Sequence, residues 1–164
     1  MKNNNKATRI IKTHKIKLNA DAKTVLLLLC PAKEADWIEG WDKICNIIYT
    51  ESGIAEEGCV FETNKQPEGK AIWICSHYNF NNTTIEYIKH VENKAIIKWK
   101  MEVKEDSQNK SSIQVNYNIT GLTDEGNEYA TNFMEVTFPI FMKSIEDGIN
   151  RYIEKEKKEH PTLN

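Results

Sequence analysis

Residues 95–104, AIIKWKMEVK, alternate strictly. Ala95, Ile97, Trp99, Met101 and Val103 share one parity; Ile96, Lys98, Lys100, Glu102 and Lys104 share the other. Residues 112–120 repeat the pattern, with Ile113, Val115, Tyr117 and Ile119 set against Ser112, Gln114, Asn116, Asn118 and Thr120. Successive side chains of a strand point to opposite faces. Two such runs joined by the polar turn EDSQNKS therefore demand an antiparallel sheet with one face on a core and one in water.

The rest of the chain must supply more strands and something to cover the dry face. Residues 9–18, RIIKTHKIKL, read as a strand with Ile10, His14, Ile16 and Leu18 on one side. Further strands are expected at 43–50, 58–63, 70–80 and 83–91, separated by turn-forming stretches such as Gln66-Pro-Glu-Gly and Asn81-Asn82. Asn19 or Asp21 can cap a helix over 22–30 that stops before Pro31, and Pro31 suits the first turn of a second short helix over 31–38. From about residue 126 to 158 the period becomes helical. Phe133, Val136, Ile140, Phe141, Ile145, Ile149 and Tyr152 recur at three- and four-residue steps, with Pro139 inside the stripe and a kink expected at 135–139. The order is strand, two short helices, a meander of strands and one long helix, an α+β domain. Residues 1–8 read as a frayed start, 9–158 as a single domain and 159–164 as a tail.

Composition removes several classes of function. Net charge is −2 at pH 7, which gives no global attraction to nucleic acid or anionic membrane. The longest apolar run, residues 25–30, falls far short of the ~20 residues of a membrane span. The first residues carry positive charge without an apolar segment behind it, so no signal peptide is expected and the cytoplasm is the expected compartment. Cys30, Cys45, Cys59 and Cys75 form no C-x-x-C pair and read as small buried hydrophobes. No histidine pair has metal-ligand spacing, and neither a metal nor a cofactor is expected. The lysines at 98, 100 and 104 read as a solvated stripe rather than a nucleic-acid surface.

Three stretches carry a resemblance. KLNADAKTVLLLLCPAKEADWIEGWDK resembles the strand-to-helix opening of the START-like (SRPBCC) superfamily, whose bacterial members often end it in P-x-x-E-x-x-W-x-x-G-W. GIAEEGCVFETN resembles the strand pair that follows, and AIWICSHYNFNNTTIEYIKHVENKAIIKWKMEV the next three strands. The resemblance implies a helix-grip fold: a curved seven-stranded antiparallel sheet, two short helices after the first strand, and a cavity between the sheet and the long carboxy-terminal helix. It implies carriage of a lipid, aromatic or polyketide-like molecule. Alternatives are cyclase or aromatase chemistry on such a substrate, or an interaction module like the Hsp90 activators, for which Ile72, Ile74 and Tyr78 would offer an apolar outer patch. A homodimer is compatible with each reading. The superfamily shares no catalytic residue that can be carried over.

With that fold, parity selects the cavity wall: Phe61, Trp73, Ile85, Tyr87, Ile97, Trp99, Met101, Val115 and Tyr117 from the sheet, faced by Phe133, Val136, Ile140 and Phe141. Trp37 and Trp41 lie one helical turn apart. They either plug the end of the grip beside the cavity mouth or pin the short helices to the sheet, while Lys33, Glu34 and Asp36 meet water. His77 shares parity with Trp73 and Cys75 and is the one weak candidate for acid–base chemistry, against the plainer reading of a histidine at the rim. His14 could point inward beneath the short helices; His90 and His160 read as surface residues.

Overall fold

The computed structural model describes residues 6–65 and 68–160 of the chain. The expected features at residues 1–5, at the Gln66–Pro67 part of one turn and at 161–164 lie outside the described residues.

Both alternating segments lie next to one another in a single sheet, as β6 (Ala95–Ser107) and β7 (Lys110–Gly121). The other strands are β1 (Arg9–Leu18), β2 (Cys45–Tyr49), β3 (Val60–Lys65), β4 (Gly69–Asn79) and β5 (Thr84–Val91). All seven pair antiparallel in the order β1-β7-β6-β5-β4-β3-β2. The register sets Phe61 beside Trp73, Tyr87 beside Trp99, and Trp99 beside Tyr117. One continuous aromatic band therefore crosses the inner face, where cross-strand side chains stand closest. The alternate residues Lys98 and Lys100 are exposed, as the pattern requires.

Parity breaks at one place that matters. The β4–β5 register shifts between Cys75 and His77, and a β-bulge of this kind turns every later side chain to the other face. His77 becomes exposed, while Tyr78 packs against the core. Ile72 and Ile74, before the bulge, are partly exposed on the outer face as expected.

After β1 the chain forms α1 (Ala22–Leu28). Asp21 caps it by accepting from the N–H groups of Lys23 and Thr24 at 3.1 and 3.0 Å, a cap worth about 1 kcal/mol. α2 (Pro31–Glu34) begins on the proline and is shorter than the 31–38 expected. Gly40 then takes φ +73°, a left-handed conformation that redirects the chain into one further turn, α3 (Trp41–Ile44). The strand expected from residue 43 starts only at Cys45 for that reason. Cys30, Cys59 and Cys75 are buried free thiols, and Cys45 is half-buried.

The long helix runs as α4 (Asp124–Asn132), a π-helical turn at Phe133–Thr137, and α5 (Phe138–Glu159). Thr123 caps its start through Gly126 N–H at 3.0 Å. Pro139 has no N–H and cannot accept a regular neighbour four residues upstream. The chain accommodates it by widening the preceding turn, with Phe138 N–H donating to Phe133 O. Lys12 Nζ donates to Met134 O, a carbonyl that the widened turn leaves without its usual helical partner.

This helix also corrects the sequence-based stripe. Val136 and Ile140 are 58% and 67% exposed. The buried face is Ala130, Met134, Phe138, Met142, Ile145, Ile149 and Ile153. At about 100° per residue, Ile140 lies roughly 140° round from Ile145, so the two cannot face one core. The expected stripe had joined two phases of the helix. The sheet curls around this helix in an α+β helix-grip architecture. Among the described residues, no helix is long and apolar enough to cross a membrane.

Candidate ligand cavity

Two helices cover the inner face of the sheet incompletely. α1 packs on β6 and β7 toward Glu105, whose carboxylate accepts from Ala22 N–H at 2.8 Å. α4 packs on the same strands at the other end, where Leu122 N–H donates to Lys94 O at 2.8 Å. Between these covers, beneath the π turn and α5, lies a cavity of about 260 Å³. The sheet contributes Phe61, Thr63, Trp73, Tyr87, Lys89, Trp99 and Tyr117 to its wall. The long helix contributes Tyr129, Phe133, Thr137, Phe141 and Ile145. The segment around α2 and α3 closes it with Glu34, Trp37, Ile38, Trp41 and Ile44, and Lys65 and Glu68 complete the rim.

Of the expected wall residues, Trp37, Phe61, Trp73, Tyr87, Trp99, Tyr117, Phe133 and Phe141 face this space. Ile85, Ile97, Met101 and Val115 are fully buried on the same inner face but belong to the solid core rather than the wall. Met101 and Val115 sit on the half of β6 and β7 that α1 covers, and Ile97 on the half that α4 covers. Val136 and Ile140 point to solvent, for the reason given above.

His77 does not line this cavity. Its Nε2 lies 3.1 Å from Thr84 Oγ1 and its Nδ1 lies 3.7 Å from Glu57 Oε2, both on the outside of the sheet. His14 is exposed and meets only the edge of the Phe138 ring, 6.2 Å between centroids. His90 and His160 are exposed.

The aromatic wall is rigid. Phe61 stacks on Trp73 at 5.3 Å, Tyr117 stacks on Phe133 at 5.3 Å, and Trp99 meets Phe141 at 5.5 Å. Such pairs add roughly 0.5–1.5 kcal/mol beyond area burial. Some of their polar atoms are tied back: Trp73 Nε1 donates to Thr63 Oγ1 at 2.9 Å, and Tyr87 OH to Leu29 O at 3.0 Å, while the buried Trp99 Nε1 has no partner among the described residues. Trp37 Nε1 donates to Leu28 O and Trp41 Nε1 to Pro31 O, both at 2.8 Å. The two indoles thus tie the short helical segments together and line the cavity.

Two ionisable groups inside were not anticipated. Lys89 is 5% exposed and donates to Glu68 Oε1 at 2.5 Å; its ammonium stands 4.5 Å from the Trp73 ring centroid. Tyr129 OH donates to the same Glu68 oxygen at 2.5 Å. Burial pulls the Lys89 pKa down, against the upward pull of Glu68. Burial and the Glu68 carboxylate push the Tyr129 phenol up. The signal for Lys89 was present in the strand itself, since Ile85, Tyr87, Lys89 and Val91 share one parity and all are buried.

Glu34 is the second group. It is 8% exposed, lines the cavity, and has no hydrogen-bond or ion-pair partner for its carboxyl among the described residues. Burial alone pushes its pKa up to about 8. The expectation that it meets water is therefore reversed, while Lys33 and Asp36 are solvent-facing and pair at 3.7 Å. Glu34, Trp37 and Trp41 stand at i, i+3 and i+7, the spacing of one helical face, and that spacing could have placed the carboxyl inside.

No protein-family model matches the chain, and no curated protein matches it in sequence. Solved structures do match. Norcoclaurine synthase from Thalictrum flavum, in complex with dopamine and hydroxybenzaldehyde, superposes with a TM-score of 0.70 at 12% identity, over 92% of this chain and 90% of that one. The Zhui aromatase/cyclase from Streptomyces sp. R1128 superposes with a TM-score of 0.61 at 10% identity, over 96% and 99%. Ara h 8.0201 gives 0.58 at 11% identity, over 87% and 98%. Identities this low speak for the fold and for nothing finer.

Proposed function

We propose that this chain, which has the START-like helix-grip fold, binds a small, largely apolar or aromatic molecule between its sheet and its long helix. The observation that carries the reading is the cavity of about 260 Å³ walled by Trp37, Trp41, Phe61, Trp73, Trp99 and Phe141. Ligand sites are concave, mostly aromatic and apolar, and carry a few placed polar groups. The volume lies just under the ~300–1,000 Å³ usual for such sites and suits a compact ring system better than a two-chain lipid. The norcoclaurine synthase structure holds two small aromatic molecules, which supports the same scale of guest.

The test is native mass spectrometry on protein purified without detergent, together with titration of a fluorescent flavonoid. Ile44→Trp, which adds bulk on the wall, should weaken uptake. A chain that carries no added mass and takes up no aromatic probe ends this reading.

One observation favours a second reading, acid–base catalysis on a polyketide-like substrate. Glu34 and Lys89 line one cavity, and burial shifts each toward its neutral form, a pattern frequent at catalytic sites. Turnover of a polyketide-like substrate that survives both Glu34→Gln and Lys89→Met would remove it.

A further inference from the structure

The cavity wall holds a carboxylate and an indole face around a cation at one place, and the chain itself supplies the cation: Glu68, Trp73 and Lys89. Around Glu34 the carboxyl and the aromatic surfaces are present and the cation is missing. The titratable groups that interact with it electrostatically are Cys45 of β2 and Tyr87 of β5. Cys30, just before α2, acts on the same two groups. Each of them is neutral or becomes negative. Ile38, Trp41, Ile44 and Ile145, which line the same cavity from the following segment and from α5, carry no charge. Lys89 is already engaged by Glu68.

An unpartnered buried carboxyl is costly to keep. Packing alone would be served better by a neutral side chain of the same shape. Aromatic faces are electron-rich and attract organic cations, most strongly where water is excluded. We propose that Glu34 is the anchor of an ammonium-binding subsite, and that the ligand of this cavity is an organic cation: an aromatic or alicyclic body bearing a protonated or quaternary nitrogen.

The inference rests on the cavity being a ligand site and adds the charge of the guest. Binding then couples to a proton. In the free protein at neutral pH Glu34 is mostly protonated, because burial raises it to about 8. A cation binds the ionised form, so the carboxyl proton passes to buffer as the complex forms. Affinity for the cation rises with pH up to about 8 and levels off above it. Over that window Cys30, Cys45 and Tyr87 stay protonated, since burial raises all three.

The experiment compares benzyltrimethylammonium with neopentylbenzene, two molecules of nearly the same shape that differ by one fixed charge. Calorimetry and tryptophan quenching would be run between about pH 6 and pH 9 on the full chain, bracketing the Glu34 transition. The expected result is tighter binding of the cation by about tenfold or more at the alkaline end, rising by up to about tenfold per pH unit below the transition. Glu34→Gln should abolish both the preference for the cation and the pH dependence. Should that variant fail to fold, the pH profile of the unaltered protein still decides. Hydrocarbon binding as tight as cation binding, or cation affinity flat with pH, overturns the ammonium assignment and leaves the cavity reading standing. Cation affinity that falls with rising pH would mean that the ionised Glu34 is not the anchor, and also overturns it. Failure of both molecules to bind sinks both readings.

Discussion

The Trp37 indole lies directly against Gly148 of the long helix. A Cβ at position 148 would stand 3.0 Å from Trp37 Cε3 and 3.4 Å from its backbone oxygen. The glycine is there for closeness rather than for backbone freedom. It lets the ring seat against the helix while its N–H reaches Leu28 O. Gly148→Leu should cost about 1–3 kcal/mol by overpacking and shift the emission of the displaced indole to the red. The corresponding fall in Tm, about 2–4 °C per kcal/mol for a chain of this size, is read by calorimetry. An unchanged melting curve would contradict this packing.

Glu34 should give the protein an unusual pH profile. Its folded pKa, about 8, lies above its ordinary value of 4.5. Between those values the native state holds a proton that the unfolded chain has lost. The stability due to this group is full below the lower value and is lost as pH rises to the upper one. The slope amounts to a few kcal/mol in total. Glu34→Gln should flatten it and be more stable than the parent at pH ~9, measured by urea unfolding across that range. A variant with the parent's slope would show that another group is responsible.

Lys89 and Glu68 should behave as a coupled pair. Lys89→Met leaves Glu68 with only the Tyr129 hydroxyl and removes a charge from beneath Trp73. Breaking a buried pair from one side costs about 3–5 kcal/mol. Adding Glu68→Gln to Lys89→Met should recover most of that loss, because no unpaired charge remains. A strictly additive double mutant would show that the pair is not coupled.

His77→Ala should leave ligand uptake unaltered, since its ring pairs with Thr84 on the far side of the sheet. Lys12→Met should instead destabilise by about 1–3 kcal/mol through the orphaned Met134 carbonyl, and hydrogen exchange at the π turn should rise with it. Uptake lost in the histidine variant, or exchange unmoved in the lysine variant, would argue against these placements.

The sheet was legible because period-two alternation in β6 and β7 is a direct image of one wet and one dry face. Seven of the thirteen expected sheet and helix wall positions outside the short helices line the cavity, together with Trp37, and they trace to that image or to helical spacing. What parity could not show was local. One extra residue at Cys75–His77 moved the histidine outward, and nothing in IWICSHYNF signals a bulge. Val136 and Ile140 were assigned to the wrong face because apolar residues on two helical phases look continuous in a linear reading. Glu34 was read by its charge instead of by its spacing from Trp37 and Trp41. Lys89 was passed over although its strand parity places it inside. Ile97, Met101 and Val115 were correctly turned inward, yet whether an inward side chain meets a void or another side chain depends on where α1 and α4 end.

The π turn at Phe133–Thr137 has a consequence for how this helix tolerates change in length. A turn of that kind holds one residue more than a regular one. Removing one exposed residue there, such as Val136, would let the turn close to a regular one while α5 kept its phase relative to α4. Phe141 and Ile145 would stay on the wall beside Phe133. Among descendants of this chain, a one-residue gap at that point would mean a tighter turn above an unaltered interior, whereas the same gap in a regular turn of α5 would rotate everything after it.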